Sequence, residues 1–503
     1  MKDKENRQFH IRSRGLVAVL AAVLIGFGYV LYDLQIVHGA EYRERSQRKI
    51  AQTETVEAAR GSLLDRYGRE LVTNRTSYNV ALETSRMGED KNAVLLELLE
   101  LYRRARNEGW RRRELLVAAA RIPGLYVPSL YEVTYGEDGV VTAVTPTEGA
   151  PSVVTKRIVQ DFEHSYFPTK TIVPSTEIVH DRVMLEVFRG CIRGCRFCQA
   201  GYAYRPVRSR SPELLARYGK EACEDSGYQE MTLSSLSTSD YRPLEGLCDG
   251  LLDWCEPHKV SLSLPSLRAD NFSMGLMERL QHVRKSGLTF APEAGTQRLR
   301  DAINKNLREE DLLQSVRTAF TGGWSSVKLY FMLGLPTETD EDVLGIAELA
   351  RKVLQVWRDV TPNRRRGCRI TVSTACFVPK PHTAFQWEPQ VEREEYLRRV
   401  KLLRDNMREK SITYHWHDPE TSFLEAVFSR GDRRLADAIE AAWRDGAKFD
   451  SWSEYFSLER WLKALAACGL DPAFYANRTR SRDEVLPWSC VSTGVRTEFL
   501  WRG

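Results

Sequence analysis

The amino-acid sequence predicts an α/β fold whose central part is a partial (β/α)6 barrel. Between about residues 183 and 409, short apolar segments of strand character alternate with amphipathic segments of helical periodicity. The candidate strands begin near Val183, Glu230, Lys259, Gly287, Ser326 and Arg369. The intervals between them can each hold a crossover helix, and right-handed crossovers would curl the six units into a barrel. We therefore expect the functional site at the carboxyl ends of these strands.

Local helix signals agree with this alternation. Ser211 is a candidate N-cap, and Gly227 marks the end of the helix that begins after it. Residues 391–409 supply the sixth helix. We assign the barrel to residues 181–385 and expect a carboxyl-terminal α+β extension over residues 386–503.

The composition of the 503-residue chain limits the classes of function. Lys and Arg number 73 against 68 Asp and Glu, so the formal net charge is only +5. That balance excludes a chain whose main affinity comes from neutralising nucleic-acid phosphates. Arginine runs at residues 111–113 and 364–366 leave RNA open as a partner, but solvated faces explain such runs more simply. Ten cysteines are too few for a disulfide scaffold, so a cysteine cluster indicates a metal site.

The amino-terminal region predicts a membrane anchor. After a basic tail at residues 1–14, residues 15–32 form an uncharged apolar run near the lower length limit for a helix that crosses a bilayer. A buried helix and a cleaved signal peptide are the alternatives, but residues 33–35 do not resemble a small-residue cleavage site. We expect a single-pass membrane protein that contacts the membrane through residues 15–32, in an orientation that the flanking Lys and Arg residues do not decide.

The segment after the apolar run, residues 33–86, predicts a stalk. Residues 60–68 within it read RGSLLDRYG. This resembles the R-G-x-(I/L)-x-D-R-x-G motif that opens the dimerisation region of class B penicillin-binding proteins. Those enzymes acylate a serine through S-x-x-K, S-x-N and K-(S/T)-G motifs, and only isolated matches in the wrong order occur here. The resemblance therefore implies an anchor and a stalk without acyl-enzyme chemistry.

Three cysteines stand close together after the first candidate strand. Cys191, Cys195 and Cys198 have the spacing C-x3-C-x2-C, and Gly190 and Gly194 relieve the backbone around them. Three thiolates can bind three corners of an iron–sulfur cubane, and the lack of a fourth local ligand leaves one iron open to a cosubstrate. A zinc site completed by a distant His or Cys is the alternative.

This cysteine spacing, with Phe197 before the last cysteine, resembles the signature of the radical S-adenosylmethionine superfamily. The resemblance implies a [4Fe-4S] cluster on Cys191, Cys195 and Cys198, with its open iron chelated by the amino and carboxylate groups of S-adenosylmethionine. One-electron reduction would then give methionine and a 5'-deoxyadenosyl radical that abstracts hydrogen from a substrate. It also implies an electron donor such as flavodoxin or ferredoxin. The substrate itself is not identified by the sequence.

Residues after the later strands match positions at which the superfamily contacts S-adenosylmethionine. The candidate cofactor-binding residues are Phe197, Ser234, Ser235, Arg268, Glu293, Gly334 and Pro336. The serines come after the second strand, where the resemblance implies contact with the methionyl amine, and the arginine after the third could pair with a carboxylate. The glutamate is a candidate for the ribose or amino group, and the glycine and proline lie in a G-x-P-x-E-T turn like that beside the adenine. A serine-rich turn, a surface arginine and a solvated carboxylate are the alternative interpretations.

Residues 87–180 form a connecting region, and from about Gly88 the chain resembles a narrower group of the superfamily. That group comprises radical S-adenosylmethionine proteins of uncharacterised function that usually carry an amino-terminal cobalamin-binding domain. The resemblance rests on residues 122–128, 289–298 and 377–383, among others. The D-x-H-x-x-G motif that would present a histidine to cobalt does not occur in the sequence, so cobalamin is a doubtful cofactor.

The two resemblances place the chain on opposite sides of a membrane. A penicillin-binding anchor sends the polypeptide after it out of the cell, whereas an oxygen-sensitive cluster needs the reducing cytoplasm. We hypothesise a fused or misjoined reading frame near residues 86–88, at which genomic reads would be discontinuous. The alternative function is a non-catalytic, membrane-anchored envelope protein, which predicts export and no bound iron.

Overall fold

The fold is given by a computed structural model, which describes residues 37, 63–64, 70–72, 93–174, 178, 180–264, 288–361 and 367–502. The chain divides into two units, residues 1–82 and residues 83–503. Within the described residues, the strands are β1 (Leu63–Leu64), β2 (Glu70–Val72), β3 (Tyr131–Tyr135), β4 (Val141–Pro146), β5 (Val154–Thr155), β6 (Val183–Glu186), β7 (Phe188–Arg189), β8 (Arg208–Ser209), β9 (Glu230–Ser234), β10 (Ser261–Ser263), β11 (Leu288–Glu293), β12 (Ser326–Leu333), β13 (Arg369–Cys376), β14 (Ile412–Trp416) and β15 (Val491–Ser492). The helices are α1 (Ala93–Asn107), α2 (Arg112–Ala119), α3 (Gln199–Ala203), α4 (Pro212–Ser226), α5 (Leu244–His258), α6 (Gln297–Ala302), α7 (Glu309–Thr321), α8 (Asp340–Val360), α9 (Arg393–Asp405), α10 (Pro419–Arg430), α11 (Leu435–Arg444), α12 (Leu458–Ala467), α13 (Pro472–Ala476) and α14 (Thr497–Arg502).

The structure contradicts the predicted single-pass membrane localisation. Across the part of the chain that is described, no helix combines the length and the apolar character needed to cross a bilayer. The 21-residue helix α8 is long enough, but its apolar residues occupy one face, which packs into the core, and charged residues interrupt the sequence. The predicted span itself, residues 15–32, lies outside the described residues. We therefore withdraw the membrane localisation.

The second unit is built on two parallel sheets that contain all six predicted strands. The first sheet has the order β10–β9–β6, and the second runs in chain order from β11 to β14. Strand β14 is a seventh parallel strand, which pairs with β13 from Ile370 to Thr374. Helix α9, which corresponds to the predicted sixth helix, precedes this strand. The sheet therefore continues past residue 385, where the sequence analysis ended the barrel.

The core of the second sheet forms because alternate side chains of its strands are buried and because its helices place their apolar residues on the face toward the sheet. Along β12, alternate residues such as Leu329 and Phe331 are buried, because successive side chains of a strand point to opposite faces. They belong to one hydrophobic cluster with Val343 and Ile346 of α8. Burying each such side chain stabilises the fold by about 1.5–3 kcal/mol.

Helix α4 shows how local sequence sets the element boundaries. The Ser211 hydroxyl accepts a hydrogen bond from the Leu214 backbone N–H at 3.4 Å, which satisfies one of the first free donors of the helix. Gly227 ends the helix in the left-handed conformation, with φ of 76°. Both signals confirm the sequence prediction for this helix.

The carboxyl-terminal segment returns to the connecting region. Strand β15 pairs in parallel with β5, which joins Val491 to Val154 and Ser492 to Thr155. This pairing places residues 493–502 beside the part of the chain that leads into β6. It also brings residues far apart in sequence to one side of the cysteine segment.

Candidate functional site

The three cysteines lie on a loop that begins after the first parallel strand. The antiparallel pair β7 and β8 closes the base of this cysteine loop, residues 190–207. Gly190 has φ of 95°, and a Cβ there would lie 2.7 Å from the Tyr204 carbonyl oxygen and 2.8 Å from that of Pro206. Because both neighbours are backbone atoms, only glycine fits this crossing of the loop.

The cysteine loop is fastened to distant elements through its backbone. Asn304 donates from Nδ2 to the Gly194 carbonyl at 2.8 Å, and the Arg196 N–H donates to the Ile303 carbonyl at 3.0 Å. Within the loop, the Arg205 guanidinium donates from Nη2 to the Arg193 carbonyl at 2.6 Å. These contacts fix the course of the loop without using the cysteine side chains.

None of the three loop cysteines is in a disulfide, and all three are of intermediate burial. The Cys191 sulfur accepts from the Arg193 N–H and the Cys198 sulfur from the Gly201 N–H, each at 3.4 Å. Burial raises the pKa of Cys198, and the neighbouring Cys191 raises it further, while the Gly201 N–H and the Lys305 ammonium oppose the rise. Cys191 and Cys198 therefore lie close enough for the charge of one to affect the pKa of Cys198.

The number and type of donors on the cysteine loop match an iron–sulfur cluster. In the part of the chain that the structure describes, no three His, Cys, Asp or Glu side chains form a group that could hold a metal ion. A zinc site would need four donors around one point, whereas each cysteine of a cubane binds a different iron. Three cysteines on one glycine-containing loop suit the second arrangement.

Glu293 and Lys305 form an ion pair beside Cys198. Glu293 ends β11 with φ of 70°, a conformation that costs a non-glycine residue about 1–3 kcal/mol. Its carboxylate accepts from Lys305 Nζ at 3.1 Å, and both charges act on Cys198. Sequence reasoning singled out Glu293 but missed Lys305. The available signal was the turn at Asn304 and Asn306, since asparagine tolerates the positive φ that both adopt.

The segment after β9 is tied to the cysteine loop by a second ion pair, which sequence reasoning also missed. Arg193 binds Asp240 through two hydrogen bonds, one of them from Nε to Oδ2 at 2.9 Å. Ser234 ends the strand, and its carbonyl accepts from the Val187 N–H at 3.0 Å. The Ser235 hydroxyl is hydrogen-bonded to Thr238 Oγ1 at 2.9 Å. An arginine inside the cysteine loop was the only sequence signal for the pair.

The turn after β12 is filled by its own side chains. Gly334 has φ of 84°, and its N–H donates to Glu338 Oε2 at 2.7 Å. Glu338 also pairs with Arg399 of α9, and its side chain is only 1% exposed. Burial raises the pKa of Glu338 to about 7, although the Gly334 N–H and Arg399 both lower it. Pro336 lies between these contacts and is partly exposed.

Phe197 connects the cysteine loop to the ends of the second sheet. It packs against a hydrophobic cluster that includes Ala294, Leu335 and Phe377, which come after β11, β12 and β13. The structure thus brings Cys191, Cys198, Phe197, Glu293 and the turn at Gly334 to one edge of the sheets. Arg268 lies outside the described residues.

The remaining cysteines do not form a second cluster of donors in the described structure. Cys223, Cys248 and Cys255 are buried in the hydrophobic core of the first sheet. Burial raises the pKa of Cys223 to about 11 and that of Cys255 to about 12, so both stay protonated at neutral pH. Core packing was the expectation for these residues.

Two family models match the chain. The model described as the radical SAM superfamily matches residues 185–350, which include the cysteine loop and the strands from β7 to β12. The model of the penicillin-binding protein dimerisation domain matches residues 55–185. Both resemblances inferred from the sequence motifs are confirmed, and the second extends beyond the segment that suggested it.

Curated relatives align with only part of the chain. An uncharacterised protein of Methanocaldococcus jannaschii, MJ0966, is 33% identical over 257 residues, which are 51% of this chain and 54% of that protein. The threonylcarbamoyladenosine tRNA methylthiotransferase MtaB of Treponema pallidum is 26% identical over 33% of this chain and 35% of that enzyme. The chain thus spans about half the length of the first relative and about a third of the second.

Two solved structures match the chain at low sequence identity and low TM-score. The methyltransferase TsrM of Kitasatospora setae, with cobalamin and a [4Fe-4S] cluster bound, has a TM-score of 0.36 at 15% identity, covering 58% of this chain and 53% of that one. The cobalamin-dependent enzyme OxsB with aqua-cobalamin bound has a TM-score of 0.35 at 10% identity, covering 69% and 52%.

Proposed function

We propose that this chain, which carries a radical S-adenosylmethionine domain over residues 185–350, is an iron–sulfur enzyme that cleaves S-adenosylmethionine reductively. The observation that carries the proposal is the cysteine loop. Its three cysteines are partly buried on one short loop that follows a parallel strand, and the radical SAM model matches this segment. Contacts from the Asn304 side chain and the Ile303 carbonyl to the loop backbone hold the loop in place.

Cys191, Cys195 and Cys198 would hold a [4Fe-4S] cluster with one iron open to S-adenosylmethionine. When bound, the cluster supplies the electron that splits the sulfonium into methionine and a 5'-deoxyadenosyl radical. The thiols must lose their protons to bind iron, so cluster binding releases protons. The Lys305 ammonium, which lowers the pKa of Cys198, favours the thiolate that this step requires.

Residues around the loop would orient S-adenosylmethionine. Glu293 lies beside Cys198 in a strained conformation, and its carboxylate could accept a hydrogen bond from the amino group or a ribose hydroxyl. Ser234 and Ser235 would present polar groups from the end of β9, and Gly334 and Pro336 would offer the backbone edge of their turn to the adenine. Phe197 would exclude water from one side of the site. Arg268 stays a prediction from the sequence.

We assign no substrate to this chain. The relative named for its action on tRNA aligns with this chain over only about a third of its length, so its substrate is not transferred. Cobalamin stays doubtful, since no D-x-H-x-x-G motif occurs in the sequence. The reaction requires a one-electron donor, for which flavodoxin or ferredoxin is the class we propose. The proposed domain limits are those of the sequence analysis, with the barrel-type sheet extended through β14.

Iron content and cofactor cleavage test the proposal together. Anaerobic reconstitution of the full chain should yield about four irons per chain, the number in one cubane. Dithionite should then release 5'-deoxyadenosine from S-adenosylmethionine. A chain with Cys191, Cys195 and Cys198 all changed to Ala should bind background iron only. A colourless wild-type protein that leaves S-adenosylmethionine intact would refute the proposed function, and one zinc per chain would support the alternative single-ion site.

A further inference from the structure

A cavity of about 770 Å³ lies against the cysteine loop. Three segments line it: residues 155, 156 and 158 at the end of β5 and after it, residues 191–192 and 205–207 of the cysteine loop, and residues 493–496 and 499 after β15. We refer to it as the Cys191 groove, because Cys191 is one of its walls. The pairing of β5 with β15 assembles this groove, so its far wall depends on the carboxyl-terminal segment.

The lining of the Cys191 groove is cationic and apolar. Lys156, Arg205 and Arg496 line it, and its lining includes no Asp or Glu. Ile192 and Phe499, 64% and 53% exposed, supply apolar surface. Glu498 lies on the same short helix as Phe499 but not in the lining. The groove therefore favours a partner that combines acidic side chains with some exposed apolar surface.

The three cationic side chains of the groove differ in the contacts they make within the protein. Lys156 donates to the carbonyls of Ala203 and Arg205 at 2.6 Å each, and Arg205 donates to the carbonyls of Gly201 and Arg193. Arg496 is exposed, and its guanidinium forms no hydrogen bond or ion pair with the described residues. The first two shape the cysteine loop, whereas the charge of Arg496 remains available to a partner.

We propose that the Cys191 groove is the docking surface for an acidic electron-carrier protein, and this inference rests on the proposed function. An electron carrier that binds in this groove contacts Cys191, which is one of the proposed ligands of the cluster. A single electron then passes from the reduced carrier, which is oxidised, toward the cofactor held by Cys191. No bond is made or broken in this step, and no proton moves. The positive charge of the groove selects a carrier with an acidic surface. The apolar residues beside the cations are then buried against that carrier.

The test compares a protein donor with a small chemical reductant on the full chain. Arg496→Glu reverses the free cation of the groove, and Arg317→Glu on the exposed face of α7 is the matched control. With reduced flavodoxin as the probe, Arg496→Glu should raise the flavodoxin concentration for half-maximal 5'-deoxyadenosine release about five- to tenfold at low salt. High salt should shrink this difference, because exposed charges are screened. Dithionite-driven release should be unchanged in both variants.

A binding measurement gives a readout that does not depend on turnover. Titration of oxidised flavodoxin into the full chain should show a dissociation constant raised about five- to tenfold by Arg496→Glu and unchanged by Arg317→Glu. Equal losses in the two variants, or no loss in either, would overturn the docking surface while leaving the proposed function standing. A parallel fall in dithionite-driven release in Arg496→Glu would also overturn it, because the groove would then serve the cofactor or a small anion. Failure of dithionite to support cleavage in the wild-type chain would instead refute the proposed function.

Discussion

Two loops at the same end of the parallel sheets are built in opposite ways. The cysteine loop, residues 190–207, is fastened through its backbone, as where Asn304 donates to the Gly194 carbonyl. The turn at residues 334–339 is fastened by its own side chains, since the Glu338 carboxylate accepts from Gly334 and pairs with Arg399. The first loop is held by groups from outside it, whereas the second is held by a carboxylate of its own. The motif glutamate of the turn therefore has a structural role that its sequence pattern does not indicate.

The largest expected effect comes from removing a thiol of the cysteine loop. Cys198→Ala removes a proposed ligand, so reconstituted iron and 5'-deoxyadenosine release should both fall to background. Cys223→Ala is the control, because that thiol is buried in the core of the first sheet. It should keep full iron content. Iron analysis after anaerobic reconstitution checks both variants, and four irons per chain in Cys198→Ala would remove the contrast between the two loops.

A smaller effect is expected from adding a methyl group to each loop. In Gly190→Ala the new Cβ meets the backbone oxygens of residues 204 and 206, so we expect a loss of about 2–4 kcal/mol in the free energy of unfolding. In Gly334→Ala the new Cβ meets only the Val391 side chain, at 2.5 Å, which can move more readily. That variant should lose less.

Gly227→Ala provides the reference for these two variants. It has φ of 76° but no atom within 4 Å of the new Cβ, so it measures backbone strain alone, about 1 kcal/mol. Denaturant unfolding should show the largest loss of unfolding free energy in Gly190→Ala, a smaller loss in Gly334→Ala and the smallest in Gly227→Ala. If Gly190→Ala and Gly227→Ala lost the same free energy of unfolding, the cysteine loop would accommodate the added methyl group without a steric cost.

A further effect, confined to one range of pH, concerns the buried carboxyl group of the turn. Burial raises the pKa of Glu338 from 4.5 to about 7, because the cost of burying the charge outweighs the lowering by the Gly334 N–H and by Arg399. The folded protein thus holds this proton more tightly than the unfolded chain does. The resulting stabilisation is complete below about pH 4.5 and is lost as the pH rises through about 7.

Glu338→Gln removes this titration while keeping the size of the side chain. Relative to the variant, the wild-type free energy of unfolding should fall by about 3 kcal/mol between pH 4.5 and pH 7. Denaturant unfolding across that range measures the difference. If the free energy of unfolding changed in parallel with pH in the two proteins, Arg399 would keep the Glu338 carboxylate ionised over the whole range. The turn would then be stabilised by a charged pair.

Much of the site could be predicted from local pattern. The spacing of Cys191, Cys195 and Cys198 and the strand that precedes them are visible in the sequence. So is the end of β11 at Glu293, because strand alternation and proline-rich turns are local signals. The membrane prediction failed for the opposite reason. Hydropathy reports the composition of a segment, and in the part of the chain that the structure describes no helix is both long and apolar enough to cross a bilayer.

The sequence by itself determined the alternation of strands and helices in the second unit and the loop that carries the three thiols, since both depend on residues adjacent in the chain. Only the tertiary structure decided which side chains those thiols meet. Lys305 reaches Glu293 because the chain turns back after α6, and Asp240 reaches Arg193 because β6 and β9, which precede them, are paired. The Cys191 groove likewise exists because β15 returns to β5. Such contacts join residues far apart in sequence, and their partners are selected by packing that no local pattern records.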